Sequence, residues 1–411
     1  MIDPAGGDRL LSRVGVLWGA WSCALAAAAL AIAVAVVRAR DRPNLDGLFN
    51  DFYDYWAAGR ILDRGGNPYD AHLMGNVLTA AGVHSVVGGA YSYPLLLAEV
   101  ARPLAALPPA PAAALFTAGS LAALWLGVAL LLSPLRHVSA VELLGLATAA
   151  ALFAPVVGTL YFGQVNLYLL PLLALAARGV QPQAGIAAAT AVKLYPGATA
   201  LAFVTRGRGG VRPMLLTAGA ALGLSLLPNA LAGVWPQRGG VLAMFRPDPF
   251  WSNESINGWL SRLPQPGLPV TPAMVAGCVL LGAPVVALVV ARRDRSWAGA
   301  FALLLCYGVV AAPKNSLWNF APLLVAGMQW WSASRRSLGA AGLAGLAWAL
   351  VTLQGVVDAA RGLREGQPVV AGTLASVAVV GGLLLLGMLA HQLLTAPASV
   401  RRLGRDRVFA A

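Results

Sequence analysis

Charge is what this chain has least of: only 11% of its 411 residues are Asp, Glu, Lys or Arg, against 58% hydrophobic. So little polar material cannot solvate a globule of this length, which excludes a soluble fold and makes lipid the solvent. Lysine is scarcer still. Of 29 basic residues only Lys193 and Lys314 are lysine, each close to a proline in apolar surroundings, so neither reads as an ordinary loop anchor. The four histidines, at 72, 84, 137 and 391, lack metal-ligand spacing, and the chain has no phosphate loop, dinucleotide-binding glycine pattern or nucleophile elbow. Nucleotide-driven chemistry is thereby disfavoured, and neither cofactor nor metal is expected. Three cysteines, Cys23, Cys278 and Cys306, all sit in apolar segments and read as small buried hydrophobes without a disulfide framework. A net charge of +13 lies in short inter-span clusters instead of a basic stripe interleaved with aromatics, which argues against nucleic acid as a partner.

The apolar residues gather in stretches at about 14–37, 110–132, 140–160, 163–177, 184–204, 213–235, 271–291, 298–312, 317–333, 338–357 and 369–395. Most approach the roughly 20 residues a crossing helix needs, so the expected class is all-α, a polytopic integral membrane protein forming one transmembrane domain over 1–411. The first stretch follows polar residues and lacks a convincing small-residue cleavage site, so it reads as a retained helix and not a signal peptide. Arg206, Arg208 and Arg212, Arg292, Arg293 and Arg295, Arg335 and Arg336, and Arg401, Arg402, Arg405 and Arg407 mark cytoplasmic ends by the positive-inside rule. Both termini are then cytoplasmic, in a plasma-membrane protein. A first outer loop covers 38–109, including a juxtamembrane helix near 94–107, and a second covers 236–270. Arg38, Arg40 and Arg42 stand against the rule, partly offset by Asp41 and Asp46. If the loops at 134–139 and 206–212 are both cytoplasmic, the three apolar segments between them make an even number of crossings, so one is broken or re-entrant. Pro155, Gly158, Gly163, Pro171, Lys193 and Pro196 are the interruptions that discontinuous helices show around a polar cavity. The expectation is about ten crossings plus a broken element.

Against this apolar background, an acidic, aromatic run stands out just after the first span: Asn50-Asp51-Phe52-Tyr53-Asp54-Tyr55-Trp56, continuing to Gly66-Asn67-Pro68-Tyr69-Asp70. Carboxylates near a bilayer pair, face water or do chemistry, and flat aromatic faces suit sugar rings. The reading is a catalytic loop, with a solvated juxtamembrane loop as the alternative. A helix over 50–64 would put Asp54 on one face with Asp51, either to position an acceptor or to raise its neighbour's pKa, or simply as a solvated face. In the second loop, Trp235, Phe250, Trp251 and Trp259 offer apolar faces, and Asn253, Glu254, Ser255 and Asn257 offer groups that pair with hydroxyls. An interfacial aromatic belt explains Trp235 as well. Arg246 and Arg262 read either as contacts to lipid phosphates or as solvated loop residues. The two lysines suit phosphate binding inside a membrane cavity, with snorkelling to the interface as the alternative.

Six motifs in register then carry a resemblance: Asp51-Phe-Tyr-Asp-Tyr55-Trp-Ala-Ala-Gly-Arg60, Gly66-Asn-Pro-Tyr-Asp70, Tyr91-Ser-Tyr-Pro94, Gly163-Gln-Val-Asn166, Lys193-Leu-Tyr-Pro196 and Asn253-Glu-Ser-Ile-Asn-Gly258. In order and spacing over about residues 45–330 the chain resembles family 87 of the GT-C glycosyltransferases. The resemblance implies an inverting enzyme that moves a sugar, mostly mannose, from a polyprenyl-phosphate donor to a glycolipid acceptor on the extracytoplasmic face, as in the branch that elongates phosphatidylinositol mannosides. It places the catalytic base on Asp51. Asp54, Tyr55, Tyr69, Asp70, Tyr91, Tyr93, Trp251, Asn253, Ser255 and Asn257 are then candidates for acceptor or sugar binding, and Lys193, Lys314, Gln164, Asn166, Asn315 and Asn319 for the donor phosphate. Where many relatives carry a stretch closing with histidine, this chain reads Ala312-Pro-Lys-Asn-Ser-Leu-Trp-Asn319, so Lys314 and the two asparagines would take over the phosphate. An arabinofuranosyl- or other pentosyltransferase is the alternative of the same class. A transporter or flippase for lipid-linked sugars is the alternative of another, disfavoured by the missing internal repeat.

Overall fold

In a computed structural model, residues 4–41, 48–83, 91–135, 138–236, 246–250, 252–262, 270–292, 296–334, 337–359 and 376–395 are described. Trp251, Arg42, the arginines at 293, 295, 335 and 336, residues 360–375 and the arginine-rich tail lie outside them. All regular structure among the described residues is helical. The helices are α1 (Pro4–Asp41), α2 (Asn50–Asp63), α3 (Ala71–Ala80), α4 (Leu95–Ala105), α5 (Pro109–Leu132), α6 (Ala140–Ala151), α7 (Ala154–Phe162), α8 (Asn166–Ala177) and α9 (Pro182–Val192). A 3₁₀ segment, Tyr195–Gly210, leads into α10 (Val211–Ala232), followed by α11 (Ile256–Arg262), α12 (Val270–Ala291), α13 (Trp297–Val310), a 3₁₀ turn at Leu317–Phe320, α14 (Leu323–Ser334), α15 (Leu338–Ala359) and α16 (Val377–Thr395).

Local chemistry sets many of these boundaries. Ser139 caps α6 by accepting the Glu142 N–H at 3.1 Å, and Ser296 caps α13 through the Gly299 N–H at 3.1 Å. Asp70 does the same for α3, its carboxylate accepting from the His72 and Leu73 amides. Prolines open α5, α7 and α9, where the missing N–H costs nothing.

Five helical stretches among the described residues are long and apolar enough to cross a membrane: Gly15–Val37, Pro109–Leu132, Tyr195–Ala232, Leu338–Val357 and Val377–Thr395. A sixth results if α6 and α7, bent by 47° across their break, count as one. The break falls in the first of the three suspect segments, just before Pro155, whose ring excludes the preceding helical hydrogen bond. The expected segment 184–204 is divided as well, with α9 ending at Lys193 and a 3₁₀ segment resuming at Tyr195. At 12 and 11 residues, α8 and α9 extend only about 18 Å each, less than the hydrocarbon thickness.

Two apolar cores result. The larger is centred on α13, whose residues Phe301 to Cys306, with Val309 and Val310, are fully buried against the 3₁₀ segment, α14 and α16. Cys306 Sγ lies 3.4 Å from the Gly382 carbonyl of α16. The smaller core belongs to the segment between α1 and α5, expected as the first outer loop, where α2, α3 and α4 pack Phe52, Tyr55, Trp56, Met74 and Leu95 together against the start of α5. The helix expected near 94–107 is α4. What sequence reading treats as a loop is thus a folded helical layer on the bundle.

Candidate active site

The acidic run becomes the first two turns of α2, and backbone geometry fixes where they sit. Phe49 precedes the helix with φ 56, in the left-handed region that a bulky side chain seldom enters, and its N–H donates to the Tyr161 carbonyl at 2.9 Å. Gly163, at φ 67, ends α7; a Cβ there would press within 2.5 Å of Phe52 Cβ, so only glycine lets α2 rest on the α7–α8 turn. The far end of α2 is tied to α4: Trp56 Nε1 donates to the Leu107 carbonyl at 3.0 Å and Arg60 to the Ala105 carbonyl at 3.3 Å, where its charge suits the helix C-terminus.

Held this way, Asp51 meets side chains from three other parts of the chain. Tyr93 Oη donates to Asp51 Oδ1 at 2.8 Å, Gln164 Nε2 donates to Tyr93 Oη at 2.9 Å, and Tyr55 Oη donates to Gln164 Oε1 at 3.0 Å. The Tyr55 and Tyr93 rings meet edge to face, 4.8 Å between centroids. Lys193, where α9 ends, holds its Nζ 4.8 Å from the centre of the Tyr93 ring. Burial pushes the Asp51 carboxyl above the usual carboxylate range, opposed by Gln164, the Tyr93 hydroxyl and the Lys193 charge. Asp54 is not a solvated face. Its Oδ1 is buried and takes no protein hydrogen bond, and burial, then the Asp51 charge, pushes its carboxyl well up. The like-charge effect thus falls on Asp54. A base poised beside a cation, with a second buried carboxyl whose Oδ1 has no protein partner, suits proton abstraction from a hydroxyl next to a phosphate.

The remaining candidates divide into two further clusters. Asn166 donates to the Trp318 carbonyl at 3.0 Å and to Asn319 Oδ1 at 3.2 Å, and accepts from Tyr195 Oη at 3.1 Å, joining the turn before α8 to the 3₁₀ turn after α13. Gln164 and Asn166, two residues apart, therefore serve different networks. Between α10 and α12, Asn253 Oδ1 accepts from Ser255 Oγ at 2.7 Å and from the Asn315 N–H at 3.1 Å, while the Glu254 N–H donates to the Asn315 carbonyl at 2.6 Å. Asn257 donates to the Arg246 carbonyl at 2.8 Å. Arg262 is spent on the carbonyls of Phe250 and Asn253 and on Ser376 Oγ. These contacts clamp the loop to 313–315; they present no open row of hydroxyl-pairing groups. Lys314 pairs with Asp248 at 3.2 Å with its side chain 59% exposed, so the two lysines stand in unlike settings.

Three aromatic and acidic candidates carry structural duties. Tyr69 Oη donates to the Tyr93 carbonyl at 3.2 Å and accepts from Asn229, Tyr91 Oη donates to the Pro94 carbonyl at 3.1 Å, and Asp70 is the helix cap described above. With Tyr55 1%, Tyr91 3% and Tyr69 7% exposed, these rings belong to the smaller core and are not free to stack on a sugar from outside. Tyr195, which the sequence shows only as a member of the Lys193–Pro196 motif with no role of its own, is the hydroxyl that meets Asn166. Glu254, expected to pair with hydroxyls, is instead fully buried beside Asn253, where burial demands partners inside the protein.

A family model described as glycosyltransferase family 87 matches residues 91–317, a range that takes in Tyr93, Gln164, Lys193 and Asn315 and leaves Asp51 and Asp54 ahead of it. Comparisons with curated proteins and with solved structures return no match. The matched range covers more than half of the 411 residues, and with its membrane-length helices this chain belongs to glycosyltransferase family 87.

Proposed function

We propose that this glycosyltransferase moves mannose from a polyprenyl-phosphate donor to a lipid-anchored glycan of the phosphatidylinositol mannoside kind, on the extracytoplasmic face, with inversion. The observation that carries the reading is the Tyr93 side chain, which has Asp51 on its hydroxyl and Lys193 on its ring face. A base and a phosphate-holding cation are thereby brought to opposite parts of one residue. Asp51 takes the acceptor hydroxyl proton, the oxygen attacks the anomeric carbon, and the phosphate departs with the C–O electron pair towards Lys193. One carboxylate serves for such a displacement, since phosphate leaves without a strong acid. Asp54, whose buried Oδ1 has no protein partner, holds a second hydroxyl of the acceptor when that substrate enters. The proposed topology has about ten crossings, both termini cytoplasmic, and α2 to α4 lying on the outer surface.

The test is incubation of the purified protein with a panel of polyprenyl-phosphate sugars and membrane glycolipids, followed by mass analysis. A hexose increment from the mannose donor is expected. A pentose increment would put a pentosyltransferase in its place, and transfer from no lipid-linked donor would overturn the reading.

A further inference from the structure

The hydrogen bonds behind Asp51 run in one direction, and chemistry alone sets it. An ionised carboxylate only accepts, so the Tyr93 hydroxyl must spend its single proton on Asp51. Tyr93 can then only accept from Gln164, which turns the amide nitrogen toward Tyr93 and leaves Oε1 to accept from Tyr55. Each orientation follows from its neighbour, and the whole row points at one oxygen. The resemblance assigns all three side chains to ligand binding; the geometry gives them a common duty inside the protein.

We propose that Tyr93 is a positioning residue for the transfer: its hydroxyl, oriented by Gln164 and Tyr55, holds Asp51 by Oδ1 so that Oδ2 is the oxygen that meets the acceptor hydroxyl. The proton of that hydroxyl passes to Oδ2, the freed electron pair forms the bond to the anomeric carbon, and the bond to the donor phosphate breaks with its electrons on the phosphate. The inference rests on Asp51 acting as the base. The charged and titratable groups facing Asp51 are Asp54 and Tyr55 from its own helix, Tyr93 from the segment before α4, and Lys193 from the end of α9. Of these, Tyr93 can be stripped of its hydroxyl while the ring, its contact with Tyr55 and its face toward Lys193 all remain.

Tyr93→Phe is the variant to make. Infrared difference spectra, with Asp51→Asn as the subtraction, follow the Asp51 carboxyl through a pH titration without any substrate. Losing a donor that favours the charged form should raise the titration midpoint by about one pH unit. The acid limb of kcat/KM should move up by the same amount, with kcat reduced on the order of tenfold and the donor KM little changed. Gln164→Met, which removes an amide that itself favours the charged form of Asp51 and also frees the Tyr93 hydroxyl, should shift the midpoint the same way and at least as far. It also serves if the tyrosine variant does not fold. A wild-type midpoint and pH profile in the tyrosine variant, or in the Gln164 variant if that alone folds, would overturn the inference. A raised midpoint in a protein that uses no lipid-linked sugar keeps the relay and discards the donor assignment; an unshifted midpoint in an active mannosyltransferase does the reverse.

Discussion

Asp51→Asn keeps the volume of the carboxylate and still accepts from Tyr93, but it removes the lone pair that takes the proton. Transfer should fall about 100- to 10,000-fold while the protein stays folded and still binds donor, as checked by single-turnover assays beside a donor-binding measurement. Turnover within about tenfold of the parent would move the base to Asp54. In the parent, the rate should drop on the acid side at a pH above the ordinary carboxylate range, because burial raises the Asp51 pKa and the base works only when ionised. The lysines should part company. Lys193→Met, beside Tyr93, should raise the donor KM by about tenfold or more, whereas Lys314→Met, largely exposed and paired with Asp248, should change it by less than about threefold. Equal effects would show that both meet the phosphate. Sequence made Asp51 and the two lysines visible because each is rare in its setting. It could not show that Tyr93 and Gln164 stand behind the base, since that pairing joins residues 42 and 71 positions apart across three elements.

At the scale of elements, the decisive feature is the support of α2 by the α7–α8 turn. Gly163→Ala would force a Cβ into a left-handed conformation and against Phe52, one residue from the base. The cost should be about 1–3 kcal/mol of stability, read by thermal unfolding in detergent, with a larger loss of kcat than of acceptor affinity. Gly59→Ala has no such backbone penalty, though it faces the Arg102 backbone at 3.2 Å, and so it separates close packing of α2 on α4 from the turn itself. Helix interruption was legible in the prolines and glycines of 155–196, and so was the existence of α2 and α4. Which interruption bends a span was not legible. Pro155, at the start of α7, breaks a helix pair by 47°, while Pro171 lies inside α8, where neighbouring helices cover the freed carbonyl.

For the whole molecule, the all-α membrane class was legible in hydropathy and the number of crossings was not: five or six described stretches have spanning length by themselves, and apolar composition reports burial in protein as readily as burial in lipid. α13 makes the distinction plain: it is apolar all round, 14 residues long, and fully buried from Phe301 to Cys306. Cys306 should therefore resist a membrane-permeant thiol reagent in the complete protein once Cys23 and Cys278 are replaced by alanine. In a chain ending after α15 it should react, because α16, with Gly382 against the thiol, is gone. Resistance in the shortened chain would mean that other helices suffice to bury it. The arrangement also sets an order of manufacture. A helix at the centre of the bundle is covered by one made some 70 residues later, so on leaving the ribosome α13 must wait, half sheltered, in the care of lipid or the insertion machinery. The interior of this enzyme is closed from its C-terminal side, and damage to α16 would be felt as failed assembly before it was felt as lost catalysis.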